Sequence, residues 1–311
     1  MITSERFLQL PTTEVAELVR ASGQKVCVFP INGTRRWFTL EHADKIGNDF
    51  IAAYLDESIR NHVELCAMLF DHGIDTVLTP VFGRELMHRG DEYTKRVGMD
   101  GLVRTATDLH YREFFTKYQV RVRFYGDYRA VLTETPYEYT LKFIYEVTEA
   151  TRVNSKYMLF FGVFADEAVD TIARLSVEYY LAHGAVPDKR TLVRKYYGED
   201  LPPVSLFIGF DKFSAFDMPL LSTGEEDLYF SISPSPYMTE RQLRTIMYDH
   251  LYLRRVPEPD YTKFSPDQLD WLRDYYRSNQ DRVLGAGRLK FDLWLPETLE
   301  ENHGGSDRQT D

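Results

Sequence analysis

The spacing of apolar residues changes repeatedly along this chain, and each change marks an element. Residues 12–21 carry apolar side chains at helical spacing and break at Gly23, after which 25–29 is almost continuously apolar, as in a strand buried on both faces. A long helix is predicted over 49–70, with Phe50, Ala53, Tyr54, Ile59, Val63, Cys66, Leu69 and Phe70 on one side and Gly73 ending it. A second strand follows at 76–81, and further strands are predicted at 120–125, 157–164, 206–210 and 228–232. Helices are predicted at 166–183 and 188–197, and Thr239 with Gln242 and Ser265-Pro266 with Gln268 carry capping-box signatures for two more.

Strands separated by helices predict an α/β protein with a mainly parallel central sheet of about six strands, joined by right-handed crossovers and flanked by helices. No repeat or interdomain linker interrupts the pattern, so the expectation is one domain over 1–299 followed by a disordered polar tail, 300–311, that lacks apolar anchors.

Composition changes this picture in three places. A hydrophobic content of 43% supports a sizeable core, but no apolar run reaches the roughly 18 residues of a spanning helix, so no transmembrane segment is expected. The two cysteines, Cys27 and Cys66, fall in apolar runs and read as small core residues, which favours a reducing, cytoplasmic setting. A net charge of −11 argues against nucleic acid as a partner and requires any anionic ligand to find a local basic pocket. The 20 phenylalanines and 21 tyrosines fit either an ordinary core or a cavity for a large apolar ligand, and composition does not separate the two.

One segment is placed where basic chemistry is useful. Asn32, Gly33, Thr34, Arg35, Arg36 and Trp37 follow the first strand as it leaves the sheet, which is where open α/β sheets bind ligands. Gly33 lets the backbone approach an anion, and two adjacent arginines can make bidentate bonds to phosphate oxygens; the plainer reading is a surface turn with two solvated arginines. Arg241 and Arg244 share a helix face at i, i+3 and offer a second basic pair, while Asp211, Asp217 and Asp227 lie beside strand ends as candidates for metal or base duty. His42, His62, His72, His88, His110, His183 and His250 are scattered with no HExxH spacing, and there is no GxSxG, Walker or CxxC motif.

Read in order, residues 26–37 (VCVFPINGTRRW), 73–79 (GIDTVLT), 122–127 (VRFYGD) and 227–230 (DLYF) resemble the blocks of the cis-prenyltransferase (undecaprenyl diphosphate synthase) family. With 207–210 (FIGF), 213–222 (FSAFDMPLLS), 237–240 (YMTE) and 248–254 (YDHLYLR), the likeness spans about residues 5–290 and is greatest to bacterial members that act on bicyclic diterpenoid diphosphates. The resemblance implies a homodimer with a hydrophobic tunnel whose mouth holds the diphosphate beside the first strand. It implies ionisation of a bicyclic C20 prenyl diphosphate of the clerodane or halimane type and capture of the cation by water, giving a tertiary alcohol such as kolavelool or tuberculosinol. Two other outcomes stay open: transfer of the diterpenyl group to adenosine, and a non-catalytic partner subunit. Chain elongation is not implied, because the late arginine-rich signature of elongating members is replaced by 209–214 (GFDKFS).

The residues and the resemblance together suggest roles. Asn32, Arg35, Arg36 and Asp211 are implied as catalytic; Gly33, Thr34, Trp37, Phe50, Tyr54, Arg241 and Arg244 as substrate-binding; and Asp227 and Asn32 as ligands of a magnesium ion, Asn32 standing where the family has aspartate.

Overall fold

In the computed structural model, which describes residues 2–45 and 49–297, six parallel strands form one sheet. They are β1 (Val26–Val28), β2 (Thr76–Phe82), β3 (Val120–Tyr125), β4 (Tyr157–Val163), β5 (Leu206–Phe210) and β6 (Asp227–Ser231), in spatial order β3-β4-β2-β1-β5-β6. Every strand of the sheet coincides with a predicted one, with ends differing by a residue or two. An antiparallel pair outside the sheet, β7 (Gly287–Lys290) and β8 (Leu293–Pro296), has no counterpart in the sequence reading. The polar tail 300–311 lies outside the described residues.

Alternation of side chains explains why β1 reads as uniformly apolar. Val26 and Val28 face one way and join a core with Leu78, Phe160, Tyr197 and Phe207, while Cys27 faces the other and joins Phe29, Leu69, Val77 and Phe161. Both faces are covered, so neither needs polar positions. Cys27 and Cys66 are buried and unpaired, as expected.

The Phe50–Asp71 helix covers the Cys27 face. Asp49 caps it by accepting from the Ala52 amide at 3.1 Å, and Ile59, Leu65, Cys66, Leu69 and Phe70 are buried beneath it. Phe70 anchors its far end by stacking on Tyr157 at 4.4 Å between ring centres. Among the described residues no helix is long and apolar enough to cross a membrane.

From β1 the chain passes to β2 on one side and later returns to add β5 on the other. The reversal leaves a crevice beyond the carboxyl ends of β2, β1 and β5, the position at which doubly wound sheets take their ligands.

The opposite end of the sheet is closed by ion pairs. Arg244 is buried; its guanidinium donates to the carbonyls of Leu8 at 3.1 Å and Leu10 at 2.5 Å, to Thr12 Oγ1 at 3.0 Å and to Glu240 Oε1 at 2.6 Å. It lies 3.4 Å from His72 Nε2, at the turn that enters β2. Asp227, the first residue of β6, is held by His250 Nδ1 at 2.6 Å and Arg255 Nη2 at 2.8 Å.

Truncating Arg244 leaves the carbonyls of Leu8 and Leu10 without their donor and removes the ion pair to half-exposed Glu240, so Arg244→Ala is expected to lower unfolding free energy by about 1–3 kcal/mol in urea titrations. Ligand binding at the crevice should persist in the folded fraction; unchanged stability with lost binding would return Arg244 to the substrate.

Candidate active site

The crevice is built outward from the end of β1. The Asn32 amide donates to Ser235 Oγ at 3.0 Å and its carbonyl accepts from the Ser235 amide at 3.0 Å, which clamps the turn to the segment after β6. Gly33 then adopts φ 79°, and a Cβ there would stand 2.8 Å from both Phe210 Cε1 and Pro234 Cβ. Only glycine fits. Gly33 caps a helix, Thr34–Glu41, where a loop was expected, so Arg35 and Arg36 ride its first turn beside amides that have no partner within the helix. A helix amino end with two arginines has the partial and full positive charge that an anion site needs.

More cations converge on it. Arg36 Nη2 lies 3.4 Å from Asp211 Oδ2, and its guanidinium is 5.2 Å from the Phe210 ring centre. Arg35 and Arg89 both lie over Tyr93, at 5.4 Å and 5.9 Å, and Arg89 also bonds Glu85. Lys212 completes the rim. Four cationic side chains thus meet two carboxylates at the mouth of a cavity of about 640 Å³, in a chain that is acidic overall.

The cavity runs inward between the Phe50–Asp71 helix and the sheet, past Tyr54, Leu55, Ser58, Ile59 and His62 on one side and Thr79, Phe82 and Phe161 on the other. Thr34 Oγ1 and Tyr54 Oη, 2.7 Å apart, tie its mouth to that helix. Burial raises the Tyr54 phenol, so it stays neutral, and burial pushes the His62 imidazole down to about 4.

The expected site residues divide. Asn32, Gly33, Thr34, Arg35, Arg36, Tyr54 and Asp211 meet at the cavity. Trp37 packs edge-on against His42 at 4.9 Å, and Phe50 sits against Phe38 at 5.2 Å and Tyr54 at 6.1 Å, behind the wall. Arg241 lies beside Glu5, Leu8 and Gln9 with Arg244, whose donors are committed to the N-terminal segment. Asp227 stands at the amino end of β6, so the placement of its carboxylate beside Asn32 is corrected: the two lie at opposite ends of the sheet. Asp217 is off the cavity; burial, with Asp166 adding, pushes it up to about 6.

Arg89, Lys212, His62 and Tyr111 were not singled out. The polar i, i+4, i+8 row Tyr54, Ser58, His62 inside an otherwise apolar helix face was the available signal for His62.

Among the described residues no group of three or more His, Cys, Asp or Glu side chains could hold a metal. Magnesium asks for less, one or two carboxylates with substrate phosphate oxygens. Asp211 meets that need, since its Oδ1 is buried without a hydrogen bond at the same mouth.

Compared with known proteins, the chain is 42% identical over 299 residues to the tuberculosinyl adenosine transferase of Mycobacterium tuberculosis (strain CDC 1551 / Oshkosh), covering 96% of this chain and 99% of that one. It is 23% identical over 306 residues to the (+)-kolavelool synthase of Herpetosiphon aurantiacus, covering 95% and 96%. Among solved structures, lavandulyl diphosphate synthase from Lavandula x intermedia in complex with dimethylallyl diphosphate superposes with a TM-score of 0.57 at 16% identity, over 80% of this chain and all of that one. A probable undecaprenyl diphosphate synthase from Campylobacter jejuni gives 0.52 at 17%, over 78% and 99%. These two share the fold. No family model matches the chain.

Calorimetric titration with inorganic diphosphate tests the mouth directly. Binding is expected in the native protein, weakened roughly tenfold or more by Arg36→Ala and by Arg35→Ala and weakened by salt, since each charge-assisted bond contributes about 1.5–3 kcal/mol. Equal affinity in all three proteins would leave the arginines as solvated surface.

Proposed function

Because the chain belongs to the family of the tuberculosinyl adenosine transferase and is a prenyl-diphosphate-processing enzyme of the cis-prenyltransferase fold, we propose that it transfers a bicyclic C20 prenyl group from its diphosphate to a ring nitrogen of adenosine. The observation that carries this reading is the cationic mouth opening onto the apolar cavity, in a chain alike over nearly its whole length to a transferase of that name. The order of the two catalytic outcomes inferred from the residues is thereby reversed, and the non-catalytic reading is not retained.

The allylic C–O bond breaks, and its electron pair leaves with the diphosphate. Arg35, Arg36, Arg89, Lys212 and the amides after Gly33 hold that growing charge without reorganising, which is where such a site gains most of its rate. Asp211 keeps Arg36 aimed inward, and Phe210 and Tyr54 offer ring faces to the carbocation. The nitrogen lone pair then forms the new C–N bond. Asn32 and Asp211 are the residues that would hold magnesium, whose chemistry is to neutralise the leaving diphosphate.

A second reading, capture by water to give a tertiary alcohol, is favoured by one feature: Asp211 Oδ1 has no hydrogen-bond partner among the described residues and is available to take a water proton. We also propose a homodimer, since Val169, Val177, Tyr180 and Leu181 leave an apolar stripe exposed on the Ala168–His183 helix.

Two measurements follow. Incubation with a bicyclic C20 diphosphate and magnesium should yield an adenosine adduct when adenosine is present; an alcohol formed at the same rate with or without adenosine, and no adduct, would give the site to water. Leu181→Glu should shift the sedimentation coefficient of the protein from dimer toward monomer; an unchanged coefficient would move the interface elsewhere.

A further inference from the structure

The inner end of the cavity contains hydrogen-bonding groups that a hydrocarbon cannot use. This step rests on the reading above, in which the diphosphate sits at the mouth and the C20 skeleton lies inward. Tyr54, which bonds Thr34 at the mouth, is followed along the helix by Ser58 and His62. At ~1.5 Å per residue, His62 is about 12 Å farther in, close to the span of a bicyclic skeleton.

Most of the wall at that depth is suited to such a skeleton: Ile59, Val97, Leu102 and Phe161 are apolar and buried. Tyr111 and His62 are buried beside them with their polar atoms poorly matched. Tyr111 is 5% exposed, and its hydroxyl makes no hydrogen bond among the described residues. His62 is 7% exposed and has only long contacts, 3.4 Å from Nε2 to Thr79 Oγ1 and 3.8 Å from Nδ1 to Cys66 Sγ. The two rings meet edge-on with centres 5.6 Å apart, and both line the same stretch of the cavity. Burial keeps the imidazole neutral at physiological pH, with one ring nitrogen a donor and the other an acceptor.

A saturated ring pressed against this pair would seal a phenol and an imidazole from water with nothing in exchange, which binding sites avoid. An oxygen placed there removes the mismatch: it accepts from Tyr111 Oη and, as a hydroxyl, donates to the acceptor nitrogen of His62 in exchange for one of its long contacts. We propose that the C20 ligand carries a hydroxyl on the ring remote from its diphosphate, and that Tyr111 and His62 select for it.

The test compares two bicyclic C20 diphosphates, one bearing that hydroxyl and one lacking it, by diphosphate release and by calorimetric binding. The native enzyme is expected to favour the hydroxylated compound by about tenfold or more in kcat/KM and in affinity, as sites built to bond a substrate hydroxyl do. Tyr111→Phe keeps the ring and removes one oxygen; it and His62→Leu should collapse the preference to within about threefold by weakening the hydroxylated compound alone. Equal handling of both compounds by the native enzyme, or an unchanged ratio in a folded Tyr111→Phe protein, overturns the proposal. A tenfold binding preference without any diphosphate release sustains it and overturns the transfer reaction instead.

Discussion

The turn that ends β1 is the constraint on which the site depends. A helix amino end becomes an anion site only if its free amides point into the crevice, and here that orientation is set by three neighbours. Ser235 holds Asn32 by both main-chain groups, while Phe210 and Pro234 leave no room for a side chain on Gly33. All three belong to the far side of the switch point, Phe210 at the end of β5 and Pro234 and Ser235 after β6. The candidate anion grip is therefore local in sequence but non-local in stability, and its geometry requires β5 to pair with β1 and β6 with β5.

The electrostatics follow the same division between ends of the sheet. At the amino end the arginines are consumed: Arg244 by carbonyls and Glu240, Arg255 by Asp227. At the carboxyl end they are held more loosely. Arg35 forms no ion pair among the described residues and rests on Tyr93, and Arg36 meets Asp211 at a long 3.4 Å. Guanidinium groups positioned by ring faces keep most of their donors free for a ligand. An acidic chain can bind an anion because its positive charge is concentrated where carboxylates are few.

This division also decides what could be read from the residues alone. Hydrophobic period located all six strands of the sheet, and the strand-to-turn position of Gly33, Arg35 and Arg36 placed them at the crevice. Arg244 and Asp227 were misplaced because charge and helix spacing do not tell which end of a strand a residue faces; the bonds that reveal it run from Arg244 to Leu8, 236 residues away, and from Asp227 to His250 across a helix. Trp37 and Phe50 were misplaced by proximity, being neighbours of the site in sequence and in space but packed behind its wall. Arg89 and Lys212 come from segments with no strand or helix signal of their own, and only tertiary packing brings them to Arg35 and Arg36.

The two acceptors considered for the carbocation make different demands on that mouth. Alkylating a neutral ring nitrogen leaves a positive charge on the product, beside Arg35, Arg36, Arg89 and Lys212. Like charges at such separations repel by kilocalories in a partly desolvated site. The product cation is tolerable there only while the diphosphate remains to offset it, so transfer must be completed within the ion pair and before the anion departs. Capture by water has no such requirement, because the proton can pass to Asp211 Oδ1 and leave a neutral alcohol. Retention of the diphosphate is thus a condition of the transferase reaction and not of the hydrolytic one.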